Sequence, residues 1–163
     1  MGLFDNLFKQ PERPAPDVYV PASEHEAWIS LLLGVINADG DVSEIETDLL
    51  MRQLVFIKFF QGIQIIYHYK RSFTAIHKYG SEALIRESVK YIDEDFKPMI
   101  FTLAVESIYV DGDVTDKEKQ IIDFAAKCLG ITDELAEKII TVFNIRYSDN
   151  CKVVNDPIDD DDD

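Results

Sequence analysis

The stretch NADGDVSEIE, residues 37–46, returns 72 residues later as YVDGDVTDKE, residues 109–118. The likeness extends well beyond the turn. Residues 27–50 overlay residues 99–122 without a gap, which sets Leu31 on Leu103, Ile36 on Ile108, and Leu49 and Leu50 on Ile121 and Ile122. Ahead of the first turn, Trp28, Leu31, Leu32, Val35 and Ile36 recur at the spacing of one helical face. Each copy therefore predicts a helix–turn–helix hairpin. Two like hairpins can bury their apolar faces against each other about a pseudo-twofold axis. No alternating strand pattern of useful length occurs anywhere, so the expectation is an all-α, compact bundle of about six or seven helices.

The remaining segments fit that frame. SEIETDLLMRQLVFIKFF continues the helical pattern through Leu49, Leu50, Leu54 and Ile57. The aromatic stretch after it assigns Phe56, Phe59, Phe60, Tyr67, Tyr69 and Phe73 to the core. Gly80 followed by Ser81 predicts a stop and a new cap, Pro98 a first-turn proline, Gly130 a left-handed C-cap and Thr132 an N-cap. Three regions follow. Residues 1–21 combine a short apolar stripe (Leu3, Phe4, Leu7, Phe8) with a proline-rich arm holding four of the six prolines. Residues 22–148 form the helical domain. Residues 149–163 end in DPIDDDDD, an acidic tail with little apolar surface to bury, expected to be disordered.

Charge narrows the partners. The formal net charge of −15 argues against a nucleic-acid surface, which needs a basic patch, and against simple adsorption to anionic lipid. It favours cations and basic proteins. Cys128 and Cys151 form no metal-ligand pattern, and Cys128 in FAAKCLG reads as a buried thiol. MGLFDNLFKQ has no secretory-signal layout, Asn6 stands where a myristoylation motif wants Ser or Thr, and no transmembrane run is present. The expected location is the reducing cytosol.

Folding alone explains much of the repeated turn. Gly40 and Gly112 can end a helix in the left-handed conformation. Ser43 with Glu46, and Thr115 with Glu118, match the capping box, and Val42 and Val114 stand where a hydrophobic staple belongs. The aspartates are left over. Asp39 and Asp111 would lie at the negative end of a helix dipole, at a cost of about 0.3–1 kcal/mol, and Asp41 and Asp113 add a second charge. An EF-hand template places Gly40 at loop position 6, Asp39 at 5, Val42 at 8 and Glu46 at 12, and the second turn fits identically. Position 1 would then be Val35 or Ser107, and position 3 Asn37 or Tyr109. The front half of the loop is missing, so these are not EF-hands. They are either structural turns or half-loops whose cation shell is completed elsewhere.

ADGDVSEIE and VDGDVTDKE, with DFAAKCLGI after the second, resemble the doubled turn of the tellurite-resistance TerB-like family over about residues 22–146. The resemblance implies a compact all-helical domain of a bacterial stress response, without established enzymatic activity. It also implies protein partners, some membrane-associated, which would place the chain in the cytoplasm and at times at the inner face of the membrane. It implies an acidic cluster that holds divalent metal. The matching positions are Asp39, Asp41, Glu46, Asp111, Asp113 and Glu118. Their all-oxygen chemistry favours Ca²⁺ or Mg²⁺ over Zn²⁺.

Other candidates are weaker. His25, between two glutamates, reads as a solvated helix start, and His68 and His77 do not share a face. Lys70, Arg71 and Lys78 form the only basic cluster, read as an exposed face or as a partner for the acidic turns. Three function classes stand: a metal-responsive binding module, a metal-independent adaptor whose acidic face binds basic or membrane-associated proteins, and, weakest, a carboxylate-based metallohydrolase lacking a visible phosphate loop or activating base.

Overall fold

The computed structural model describes residues 17–110 and 114–148. Seven α-helices are formed: α1 (Glu24–Ile36), α2 (Glu44–Val55), α3 (Ile65–Tyr79), α4 (Ser81–Ser88), α5 (Lys97–Ser107), α6 (Asp116–Leu129) and α7 (Asp133–Arg146). Three short 3₁₀ turns, Lys58–Phe60, Val89–Tyr91 and Glu94–Phe96, complete the set, with no strand among the described residues. The all-α bundle expected from the periodicity is the observed fold. The arm segment 1–16, the turn residues 111–113 and the tail 149–163 lie outside the described residues.

Helix α1 is the axis. Every residue from Glu26 to Ile36 is buried, because its sequence is apolar on all sides and must be covered on all sides. Helices α3, α4, α5 and α6 pack around it. The two hairpins meet reciprocally: α1 leans on α5 and on α6, while α2 leans on α5. Leu31, Ile36, Ile108 and Ile122 share the main core with Trp28, Phe101 and Leu54. A smaller cluster joins Tyr19, Leu33, Ile76 and Leu84. Tyr19, which the sequence places in the arm, is thus only 5% exposed and belongs to the body.

Several expectations change. Helix α2 stops at Val55 instead of running through Ile57, and Ile57 is extended. The break lets Phe59 and Phe60 fold back onto Trp28, with ring centroids 5.3 and 5.6 Å away. Phe60 is core and Phe59 and Tyr69 are half-buried, but Phe56 is 87% exposed and Tyr67 and Phe73 also face solvent. Helix periodicity does not place Phe56, which follows the end of α2, while Tyr67 and Phe73 belong to α3 but lie off its buried side, which carries Ser72 and Ile76. Ser81 does not cap α4. Gly80 takes the capping position at φ 81°, while the Ser81 hydroxyl donates to the Asn37 carbonyl (3.2 Å) and accepts from Asn37 Nδ2 (3.1 Å). The other signals hold. Pro98 stands in the first turn of α5, Gly130 is left-handed at φ 69°, and Thr132 Oγ1 accepts from Leu135 N–H. Cys128 is half-buried, and burial raises its thiol pKa.

Gly34 is a point of close approach between α1 and α4. A Cβ there would lie 2.9 Å from Ile85 Cγ1 and 3.0 Å from the Ser81 carbonyl oxygen. The side chain could yield, but the carbonyl is fixed by the helix start. Gly34→Ala should therefore lower stability in urea melts. Overpacking costs about 1–3 kcal/mol, which outweighs a gain of at most about 1 kcal/mol from helix propensity.

Candidate functional site

The first acidic turn is built from its caps outward. Helix α1 ends with Asn37 as its C-cap, whose N–H reaches the Leu33 carbonyl. The Ala38 N–H then reaches Val35, and the Gly40 N–H reaches the Asn37 carbonyl at 3.1 Å. Gly40 has φ 93°, but it stands three residues beyond the cap. It turns the chain toward α2 and does not terminate α1. Asp39 is likewise set off from the helix end, which relaxes the dipole penalty expected of it. Asp39 and Asp41 are both exposed. Asp41 Oδ1 accepts the Val42 N–H at 3.0 Å. Neither aspartate forms an ion pair with a described Lys or Arg.

The glutamates stand in a different setting. Glu46 is 6% exposed, and its Oε2 accepts from the Ser43 N–H (2.8 Å) and hydroxyl (2.7 Å). Glu118, 9% exposed, does the same for Thr115 at 2.6 and 2.8 Å. Ser43 and Thr115 return the bond to the backbone N–H of Glu46 and Glu118, so both capping boxes are closed. The residues five past Val42 and Val114 are Thr47 and Lys119, so no staple forms. The valines pack on the core instead. Asp111 and Asp113 lie outside the described residues. Among those described, no group of three or more His, Cys, Asp or Glu side chains is arranged to hold a metal ion.

Each turn is braced by a different helix. The first is tied through Asn37 to Ser81 of α4. The approach to the second is tied to α7: the Tyr109 hydroxyl donates to Asn144 Oδ1 at 2.5 Å, and Glu106 meets Arg146 at 3.4 Å. The Tyr109, Phe143 and Tyr147 rings stack beside it. A cleft of about 840 Å³ opens there, walled by Tyr109, Val114, Ile122, Ile140 and Tyr147.

The sequence missed a buried polar network under α3. Glu26 is 1% exposed. Its Oε2 receives Arg71 Nε at 2.7 Å and lies 3.6 Å from His68 Nδ1; its Oε1 accepts from the Tyr19 hydroxyl at 3.2 Å. Tyr19 also meets Ser30 (2.7 Å), which meets Ser72 (2.6 Å). His25 is half-buried, stacked on Phe59 at 4.2 Å with Nε2 on the Phe59 carbonyl at 3.0 Å, and is not a solvated helix start. Arg71 therefore pairs with Glu26 and, among the described residues, not with Asp39 or Asp41. The available signal was that the side of α1 opposite the Trp28–Leu31–Val35 stripe also carries Ile29 and Leu33, so that Glu26 and Ser30 are buried with them.

Burial pushes the Tyr19 hydroxyl up to about 12 from 10.0, with the hydrogen bond from Ser30 acting against that rise. The folded state keeps this proton longer than the unfolded chain. The linked stability is complete below about pH 10 and is lost as pH rises toward 12. Tyr19→Phe should therefore be less stable than the parent at about pH 9, and the gap should narrow by about pH 11.5. Urea titrations at the two pH values read this directly.

No family model matches the chain, and no curated protein does. Among solved structures it is similar to a protein of unknown function from Porphyromonas gingivalis, at 20% identity over 88% of this chain and 99% of that chain, with a TM-score of 0.49.

Proposed function

We propose that this chain is a non-enzymatic binding module of a bacterial stress response of the tellurite-resistance type, and that it takes up divalent cation at its duplicated acidic turns to engage protein partners. The observation that carries this reading is the division of labour within the turn. The serine or threonine, the valine and the glutamate serve folding, whereas Asp39 and Asp41 are exposed and without a cationic partner among the described residues. Two carboxylates in water beside a glycine turn attract a hard cation through oxygen alone, which favours Ca²⁺ or Mg²⁺. Glu46 and Glu118 enter such a site by fixing the turn, each already spending one oxygen on its cap. The equivalent positions Asp111 and Asp113 carry the same role in the second turn. A single turn of this kind binds weakly, on the order of 10⁻⁴–10⁻³ M.

A second reading is a metal-independent adaptor, in which the same exposed aspartates meet basic protein surfaces directly. It is favoured by the formal net charge of −15, which suits basic partners with or without an ion.

Melting temperature in EDTA and in millimolar calcium or magnesium separates the two. The first reading expects a rise with cation that Asp39→Asn and Asp111→Asn each reduce, while those variants are neutral or mildly stabilising in EDTA. An unchanged melting temperature in the parent protein overturns it in favour of the adaptor. Ser43→Ala and Thr115→Ala serve as controls: each should cost about 0.5–2 kcal/mol in either condition, because it removes a cap and not a ligand.

A further inference from the structure

The basic cluster of the sequence occupies one cleft. Lys70, Thr74 and Lys78 follow each other at steps of four along α3, with Tyr67 and Arg71 on the adjoining row. Tyr19, Val20 and Tyr79 complete the walls of a space of about 570 Å³, with Glu26 beneath. Three features set it apart from an ordinary solvated helix face.

Arg71 is held in advance. Its Nε is fixed on a carboxylate that is 1% exposed, while its own side chain remains 45% exposed. The Glu26 carboxylate also holds the Tyr19 hydroxyl, but its pairing with a half-exposed arginine adds little stability of its own. It does orient the planar guanidinium, so that an incoming anion need not order it. Lys70 and Lys78 are also unspent: neither forms an ion pair with a described carboxylate, although the chain holds 31 acidic against 16 basic residues. Lys78 rests over the Tyr79 ring at 4.8 Å. Finally, the cleft is long and has apolar walls. Lys70 and Lys78 are two helical turns apart, about 12 Å at 1.5 Å per residue, and Val20, Ala75, Tyr67 and Tyr79 lie among the charges. In an extended peptide, carboxylates four residues apart are separated by about 13 Å. A compact phosphate would engage only one end.

We infer that this cleft is a receptor for an extended acidic peptide, and that its occupant is residues 156–163 of the same chain, DPIDDDDD. That octapeptide supplies six aspartates and, in Ile158, an apolar side chain for the walls. From Ser148, the last described residue, to Asp156 the chain can span about 26 Å at roughly 3.3 Å per residue. A short tether that spans its sites gives the tethered segment an effective concentration of order millimolar. The contact removes negative charge from solution and leaves the acidic turns untouched, so it stands independently of the cation reading.

The test uses labelled DPIDDDDD peptide, read by fluorescence anisotropy at low salt. The proteins are the full chain and a full-length variant with Asp159 to Asp163 changed to Asn. The variant, relieved of its own segment, should bind the peptide about tenfold more tightly than the parent, and rising salt should weaken binding. K70E/K78E in the variant should abolish binding, whereas K119E/K138E, the same charge change on exposed lysines elsewhere, should leave it within about twofold. Melting curves confirm that each variant is folded. Peptide binding to neither protein, or equal loss in both lysine pairs, overturns the cleft. Equal binding to parent and variant overturns the assignment of residues 156–163 as occupant.

Discussion

Helix α1 leaves the rest of the chain little choice. A helix apolar around its whole circumference is stable in water only when wrapped, and here four helices do the wrapping. Its few non-apolar positions then decide how each neighbour fits. Gly34 lets α4 approach to backbone contact. Ser30 and Glu26, which would be costly if left unpaired, receive the hydroxyls of Tyr19 and Ser72 and the guanidinium of Arg71. Helix α3 and the segment that carries Tyr19 are thereby pinned to one axis by buried polar groups that satisfy one another.

The duplication supplies the frame but not its symmetry. Position 34 is glycine in the first copy, and its counterpart, Glu106, is an anchor for Gln53 and Arg146. Asn37 binds α4, and its counterpart Tyr109 binds α7. The shared residues are those that shape the turn and cap the next helix. The differing ones select which neighbour docks. A repeat can therefore keep its turns nearly identical while the two halves serve different walls of one core.

Most of the fold was legible because it rests on local rules. Periodicity found α1 and α6, the S/T-x-x-E spacing found both capping boxes, and Gly130 and Thr132 marked a junction that the backbone dihedrals match. What was not legible is non-local. Phe56 and Phe60 look alike in sequence, yet one is almost fully exposed and the other is core, because α2 ends to turn Phe59 and Phe60 toward Trp28. Glu26 looked like one more first-turn acid, until α3 brought Arg71 and His68 to it from 45 and 42 residues away along the chain. At the candidate site the spacing singled out the aspartates and placed both glutamates in capping boxes, but it could not show that the glutamates would be nearly buried while Asp39 and Asp41 stay exposed.

That engagement changes how the acidic turn should be understood. A carboxylate held by two hydrogen bonds from its own cap resists reorientation, because leaving the box abandons a backbone N–H that little else can satisfy. Glu46 and Glu118 thus act first as rivets between turn and helix. Asp39 and Asp41 stand exposed on a frame whose geometry is set before any partner arrives. Their mutual repulsion is tolerated in water and is relieved by whatever positive group arrives, an ion or a side chain. On the proposed reading, rigidity beneath and unpaired charge above are what would let the turn discriminate between partners: a frame that does not rearrange cannot adapt to a poor one.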